Sequence, residues 1–186
     1  MRKLSHDEIS VNRTTIDKID TIKKLPVTVL LNSIRSSYNV GSIFRTSDGA
    51  MIEKLILCGY TPHPPIDSEN PGNKDVLKTA LGSTRSVNWE YKKNPIDAIK
   101  ELKTRGIKIC ALEITENSKP YSDSSIYNFP VCLVVGNEIS GISQDILDIC
   151  DYSIEIPQFG IKQSLNVAVA YGIAIFELRK IYDAIK

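Results

Sequence analysis

Apolar and polar positions alternate in blocks along this chain. Five short runs are continuously or nearly continuously apolar: "VTVLLN" (27–32), "KLILCG" (54–59), "IKICALEI" (107–114), "PVCLVVGN" (130–137) and "DYSIEI" (151–156). Strands buried on both faces lose the in–out alternation of a half-exposed strand, so these read as central strands of a parallel sheet. A further strand is expected near 87–91. Between them lie helical patterns. "SHDE" (Ser5 to Glu8) fits a capping box that opens a short N-terminal helix. Residues 39–50 read as a helix with Asn39 near its start, and a short helical piece is expected at 74–81. The clearest helix has Asn94 as cap, Pro95 at its first position, Ile96, Ile99 and Leu102 on one face, and Gly106 as stop. Residues 164–185 form the closing helix, and "YTPHPPIDSENPGN" is too rich in Pro and Asn to be regular. The pattern predicts an α/β fold with a mainly parallel sheet covered by helices on both faces. No linker interrupts it, so residues 1–186 are read as a single domain with residues 1–25 as a short helical extension.

In the closing helix, Leu165, Val167, Val169, Ala170, Ile173, Ile175, Phe176 and Leu178 do not keep to one stripe. A helix apolar around most of its girth is covered on more than one side. Deep burial in a monomer would satisfy this; a second subunit, in a two-fold homodimer, satisfies it more simply.

Composition narrows the classes. A length of 186 residues is enough for one sizeable core. No apolar run approaches the roughly 20 residues that cross a bilayer, and "MRKLSHDEIS" lacks the apolar centre of a secretion signal, so no membrane partner and a cytoplasmic location are expected. Cys58, Cys110, Cys132 and Cys150 stand singly, three of them in apolar runs, which suits reduced structural thiols. With no CxxC spacing and only two histidines, a metal site is not expected. The formal net charge of +1 advertises no partner, so any RNA surface must be local.

Three segments leave strand ends with glycines or polar side chains, where parallel α/β sheets bind ligands. The first, "LNSIRSSYNVGSIFRTSDGA", offers Asn32, Arg35, Asn39 and Arg45. Read singly, Asn39 is a helix cap and Arg45 a solvated charge. The second, "VVGNEISGIS", carries Gly136, Glu138 and Gly141, where glycine permits close approach to a ligand or positive φ. The third, "IPQFGIKQSLN", carries Ile156, Gly160, Ser164, Leu165 and Asn166 at the mouth of the closing helix, where capping alone would explain Ser164 and Asn166. No GxGxxG after the first strand, Walker lysine loop or GxSxG elbow competes.

Each segment alone is weak. In this order, from about Val27 to Leu178, they resemble the three motifs of the SpoU/TrmH branch of the SPOUT class of RNA methyltransferases. The resemblance implies a C-terminal deep trefoil knot, S-adenosylmethionine as cofactor, and an active site at a homodimer interface. It also implies methyl transfer to a ribose 2′-hydroxyl of RNA. On that reading Gly136, Gly141, Ile156, Ser164 and Leu165 contact the cofactor, while Asn39, Arg45, Glu138 and Asn166 form the catalytic set. A guanidinium is effectively always protonated, so stabilising developing negative charge suits Arg45 better than acting as a base. Arg35, Arg45, Lys78 and Arg85 are the leading candidates for RNA contacts, with Lys74, Lys92 and Lys93 beside them, and Tyr38 is either a stacking platform for a base or buried. Longer relatives carry a separate N-terminal RNA-binding domain; with only about 25 residues before the first strand, the resemblance favours tRNA over rRNA. Two other readings stay open: a catalytically silent RNA-binding factor, and an unrelated nucleotide-binding domain.

Overall fold

The computed structural model describes residues 1–11 and 13–185. In chain order the elements are helix α1 (His6–Val11), strand β1 (Leu25–Asn32), helix α2 (Ser37–Ala50), strand β2 (Ile52–Cys58) and helix α3 (Lys74–Ala80). Strand β3 (Trp89–Lys92), helix α4 (Pro95–Thr104), strand β4 (Lys108–Leu112) and the two-residue strand β5 (Lys119–Pro120) follow. Strand β6 (Val131–Val135), the short helix α5 (Gln144–Leu147), strand β7 (Tyr152–Glu155) and helix α6 (Val167–Ala184) complete the chain. A 3₁₀ turn at Ile16–Thr21 precedes β1. The expected strands and helices are present; β5, α5 and the 3₁₀ turns were not anticipated, because pieces of two to six residues carry too little periodicity.

All seven strands pair in parallel in the order β3-β2-β1-β6-β4-β7-β5. Alternate residues of each strand feed two cores. Val27, Val29, Leu31, Leu55, Leu57, Leu133 and Val135 pack under α2, α3 and α6, whereas Leu30, Ile56, Ile109, Ala111 and Val134 meet Ala98, Ile99 and Leu102 of α4. This double coverage is why the strands read as continuous apolar runs.

The caps show how local sequence sets the helix ends. Ser5 N donates to Glu8 Oε2 at 2.7 Å and Glu8 N to Ser5 Oγ at 3.3 Å, closing the capping box. Asn94 Oδ1 accepts from Ile96 N at 3.0 Å, with Pro95 opening α4. The closing helix starts three residues later than the apolar pattern implied, because Asn166 serves as its cap.

Helix α6 buries Val167, Tyr171, Ala174, Ile175, Leu178 and Ile181 along one stripe. Its Tyr171 hydroxyl meets Ser47 Oγ of α2 at 2.7 Å, pinning the two helices. Val169 and Phe176, each 51% exposed, lie outside the stripe. All four cysteines are free thiols, and burial raises each; Cys58 is pushed up to about 12 and Cys150 to about 11, so neither offers a thiolate at neutral pH. Among the described residues no helix is long and apolar enough to cross a membrane.

Candidate active site

The site begins at the start of α2. Ser36, not Asn39, is the N-cap: its Oγ accepts from Asn39 N at 3.3 Å. That corrects the capping role read for Asn39 alone and frees its side chain. Asn39 Nδ2 donates to Glu138 Oε1 at 2.9 Å. The same carboxylate accepts from Arg35 N at 2.8 Å and Ser36 N at 3.1 Å. On its other side, Asn39 Oδ1 accepts from Asn166 Nδ2 at 3.2 Å. Asn166 Oδ1 meanwhile accepts from Ala168 N at 2.9 Å and Val169 N at 3.3 Å. One amide therefore caps α6 and ties it to α2. The chain Glu138–Asn39–Asn166 joins the three sequence segments into one network.

Burial opposes ionisation of Glu138, but the donors from Arg35, the Asn39 amide, its own backbone N–H and Ser36 outweigh it and hold the carboxyl below its ordinary range. At neutral pH it carries a negative charge and orients Asn39.

Beside this network lies a cavity of about 220 Å³ at the carboxyl ends of β4, β6 and β7. It is lined by Gly136, Glu138, Gly141, Ile156, Ser164 and Leu165, five of which were the residues expected at a cofactor. Leu112, Val135, Ile154 and Val167 supply apolar walls, and Glu113 and Glu155 supply carboxylates. Apolar walls suit a planar adenine, and carboxylates suit a sulfonium, so this donor set fits S-adenosylmethionine.

The glycines here have a structural necessity of their own. A Cβ on Gly136 would sit 2.5 Å from the Gly141 backbone carbon, and Gly141 holds φ at +67° with its Cβ position 2.4 Å from Glu113 Oε2. Glu113 accepts from Ile142 N at 2.9 Å and so braces this turn. Sequence reasoning missed Glu113. It also missed Asn137, whose Nδ2 donates to Ser33 O and to the Tyr60 hydroxyl, both at 2.7 Å. Only the position of Asn137 between Gly136 and Glu138 hinted at it.

Arg45 is not part of this cavity within one chain. Six residues of helix carry it about 9 Å along the axis from Asn39 and onto another face. It is exposed, with no ion pair among the described residues, in a groove also lined by Arg13, Lys23, Arg85 and Arg179. Asp48 lines the same groove and accepts from Ser86 Oγ. Of the expected RNA contacts, Arg45 and Arg85 come together there. Arg35 and Lys78 do not line the groove, although both are exposed. Lys92 is engaged by Glu90 and Glu101. Tyr38 is 54% exposed, so the burial alternative is set aside. Among the described residues no cluster of three or more metal-binding side chains occurs.

A doubly covered parallel sheet, with a polar network and an apolar cavity beyond its strand ends, defines a nucleotide-type α/β enzyme scaffold. The family model described as "SpoU rRNA Methylase family" matches residues 26–176, and the chain belongs to that family. It is 34% identical over 154 residues to the tRNA (guanosine(18)-2′-O)-methyltransferase of Aquifex aeolicus, covering 82% of this chain and 68% of that protein. It is 28% identical over 156 residues to the enzyme of the same name from Escherichia coli K12, covering 83% of this chain and 63% of that one. The chain thus spans about two thirds of these relatives. The crystal structure of the A. aeolicus TrmH/SpoU tRNA modifying enzyme superposes with a TM-score of 0.75 at 28% identity, covering 91% of this chain and 83% of that one. An AdoMet-bound rRNA methyltransferase from Sinorhizobium meliloti gives a TM-score of 0.73 at 28% identity, with coverages of 85% and 60%. The chain is therefore of the SpoU/TrmH class of RNA 2′-O-methyltransferases, whose cofactor is S-adenosylmethionine.

Proposed function

We propose that this protein transfers a methyl group from S-adenosylmethionine to a ribose 2′-hydroxyl of RNA, with tRNA favoured over rRNA. The observation that carries the reading is the Glu138–Asn39–Asn166 network beside the apolar cavity. When bound there, S-adenosylmethionine supplies an electrophilic methyl on a sulfonium. Gly136, Ile156, Ser164, Leu165 and Gly141 hold it.

A ribose hydroxyl is a weak nucleophile, so it must be oriented, and the charge it develops must be met. Asn39, fixed on both sides, orients the ribose. Glu138 keeps Asn39 in place and stays ionised. Arg45 contributes a permanent positive charge that anchors RNA phosphate and stabilises the developing oxyanion. Arg85, Arg35 and Lys78 extend the RNA surface.

Because Arg45 lies off the cavity of its own chain, it serves the cavity of a partner in a homodimer. The half-exposed Val169 and Phe176 of α6 support that interface. The strand order also suits a knotted C-terminal segment: β6 sits between β1 and β4, β7 lies beyond β4, and α6 returns to α2. Free thiols suit a cytoplasmic enzyme.

The test is calorimetric titration with S-adenosylhomocysteine, followed by tritiated methyl transfer to total tRNA and rRNA. Binding and transfer of label to a ribose 2′-oxygen are expected. Binding without transfer to either RNA would instead favour the catalytically silent RNA-binding factor.

A further inference from the structure

Across the Gly136–Gly141 turn from the cofactor cavity lies a second pocket of about 320 Å³. Its polar lining includes Asn32, Ser33, Tyr60, Asn94, Asn137 and Asp145, with two further serines. Asn32, the last residue of β1, is only 8% exposed. Its Oδ1 accepts from Ser33 Oγ at 3.4 Å, while no described residue accepts from its Nδ2. Among the described residues only the Tyr152 hydroxyl is fully buried without a partner, so the Asn32 amide donors stay accessible and free for a ligand to take.

Tyr60 supplies the second feature. The residue is 63% exposed, yet its hydroxyl is held by Asn137 Nδ2 at 2.7 Å. A ring anchored at its tip presents a fixed apolar face at the pocket mouth. An anchored aromatic face next to neutral amides and hydroxyls is what a planar heterocycle with edge donors and acceptors requires. The lining contains no cation, and Asp145 is its one formal charge, so a phosphate is disfavoured.

We propose that this pocket is a specificity subsite that stacks one nucleobase of the RNA substrate on Tyr60 and reads its edge with Asn32. The source of the base rests on the methyltransferase reading above; the pocket's chemistry does not. Glu138 and Asn137 are adjacent in the turn that separates the two pockets, so a base held here would help set the register of the ribose at the catalytic network.

The test uses the full chain, isotopically labelled, titrated with each of the four ribonucleoside 5′-monophosphates. The side-chain amide resonances of Asn32 and Asn137 are followed by NMR. Saturable shifts are expected with at least one mononucleotide, and they should persist when S-adenosylhomocysteine fills the neighbouring cavity. Tyr60→Ala should weaken them by about tenfold or more, the usual scale of a lost stacking contact. Shifts absent in the wild type, unchanged in Tyr60→Ala, or abolished by S-adenosylhomocysteine would each overturn the subsite. In methyl transfer to total tRNA, Tyr60→Ala should raise KM for RNA by a similar factor, with S-adenosylhomocysteine affinity unchanged. Mononucleotide binding with an unmoved KM, or with no transfer at all, would mean that the pocket takes a free nucleotide and would overturn the RNA assignment. A wild type that fails to bind S-adenosylhomocysteine would sink the methyltransferase reading by itself, while the titration still decides the pocket.

Discussion

The first turn of helix α2 and its middle are built on opposite plans. At its N-terminus Asn39 is held by Glu138 on one side and Asn166 on the other, within a cap made by Ser36. Two turns later Arg45 stands exposed, with no partner among the described residues. The first turn is preorganised inside one chain: its polar groups are satisfied before any ligand arrives, so little further ordering is needed on binding. Arg45 is an unspent charge, which on the function proposed above acts when RNA or another subunit approaches. The contrast separates residues whose polar groups are satisfied within the chain from one whose charge is not.

The largest effect expected from breaking this contrast is on chemistry at the exposed Arg45. Arg45→Ala should reduce methyl transfer by roughly 10²- to 10³-fold, the scale of removing one oxyanion donor, while calorimetry finds S-adenosylhomocysteine affinity unchanged. Loss of cofactor affinity would show that Arg45 belongs to the cavity of its own chain. Mixing Arg45→Ala with Glu138→Gln protomers sharpens the point. If Arg45 serves the partner's cavity, the mixed dimers regain transfer that neither variant shows alone.

A charge placed on the outer stripe of α6 tests the interface itself. Phe176→Asp should weaken dimerisation at least about tenfold, because an unpaired charge would be buried there. Sedimentation would register the dissociation, and thermal unfolding of the monomer should change little, since Phe176 is half exposed. A dimer that survives the change would place the interface elsewhere.

In the preorganised network, Glu138→Gln should cost about 1–3 kcal/mol in denaturant unfolding, because donors that met a carboxylate lose a charged acceptor. The pH dependence has a definite sign. The carboxyl lies below its unfolded value of 4.5 in the folded chain, so its contribution is fully present above pH 4.5 and is lost as pH falls below it. The stability gap between wild type and Glu138→Gln should therefore be flat near neutrality and shrink under acid; a gap independent of pH throughout would assign the effect to packing alone.

The smallest expected effect separates the two duties of Asn166. Asn166→Ala removes both the α6 cap and the donor to Asn39, at about 1 kcal/mol for the cap. Asn166→Asp retains a capping oxygen, so it should recover most of the stability but not the orientation of Asn39. Equal stability in the two variants would mean that the cap contributes nothing measurable.

Much of this protein was legible from the order of its residues. Double burial of the strands was visible because a parallel sheet covered on both faces needs apolar residues at every position. The capping box at Ser5 and Glu8 and the Asn94–Pro95 start of α4 were visible because caps are made by residues only a few positions apart. The ordered Asn39, Glu138 and Asn166 segments were enough to suggest both a family and a site. What local pattern could not supply was the pairing among them. The hydrogen bond from Asn166 to Asn39 spans 127 positions, and that from Asn39 to Glu138 spans 99. Nothing in either neighbourhood specifies its partner; the parallel sheet decides it by bringing three strand-end loops to one edge. Tertiary structure also assigned the cap to Ser36, moved Arg45 off the cavity of its own chain, and left the Asn32 amide donors without a protein partner in the pocket that Tyr60 lines. Sequence determined which segments carry polar groups to the strand ends, because helix, strand and cap preferences act over a few residues. Only the fold decided which of those groups satisfy one another and which remain for a ligand, because hydrogen bonding and burial depend on distance in space.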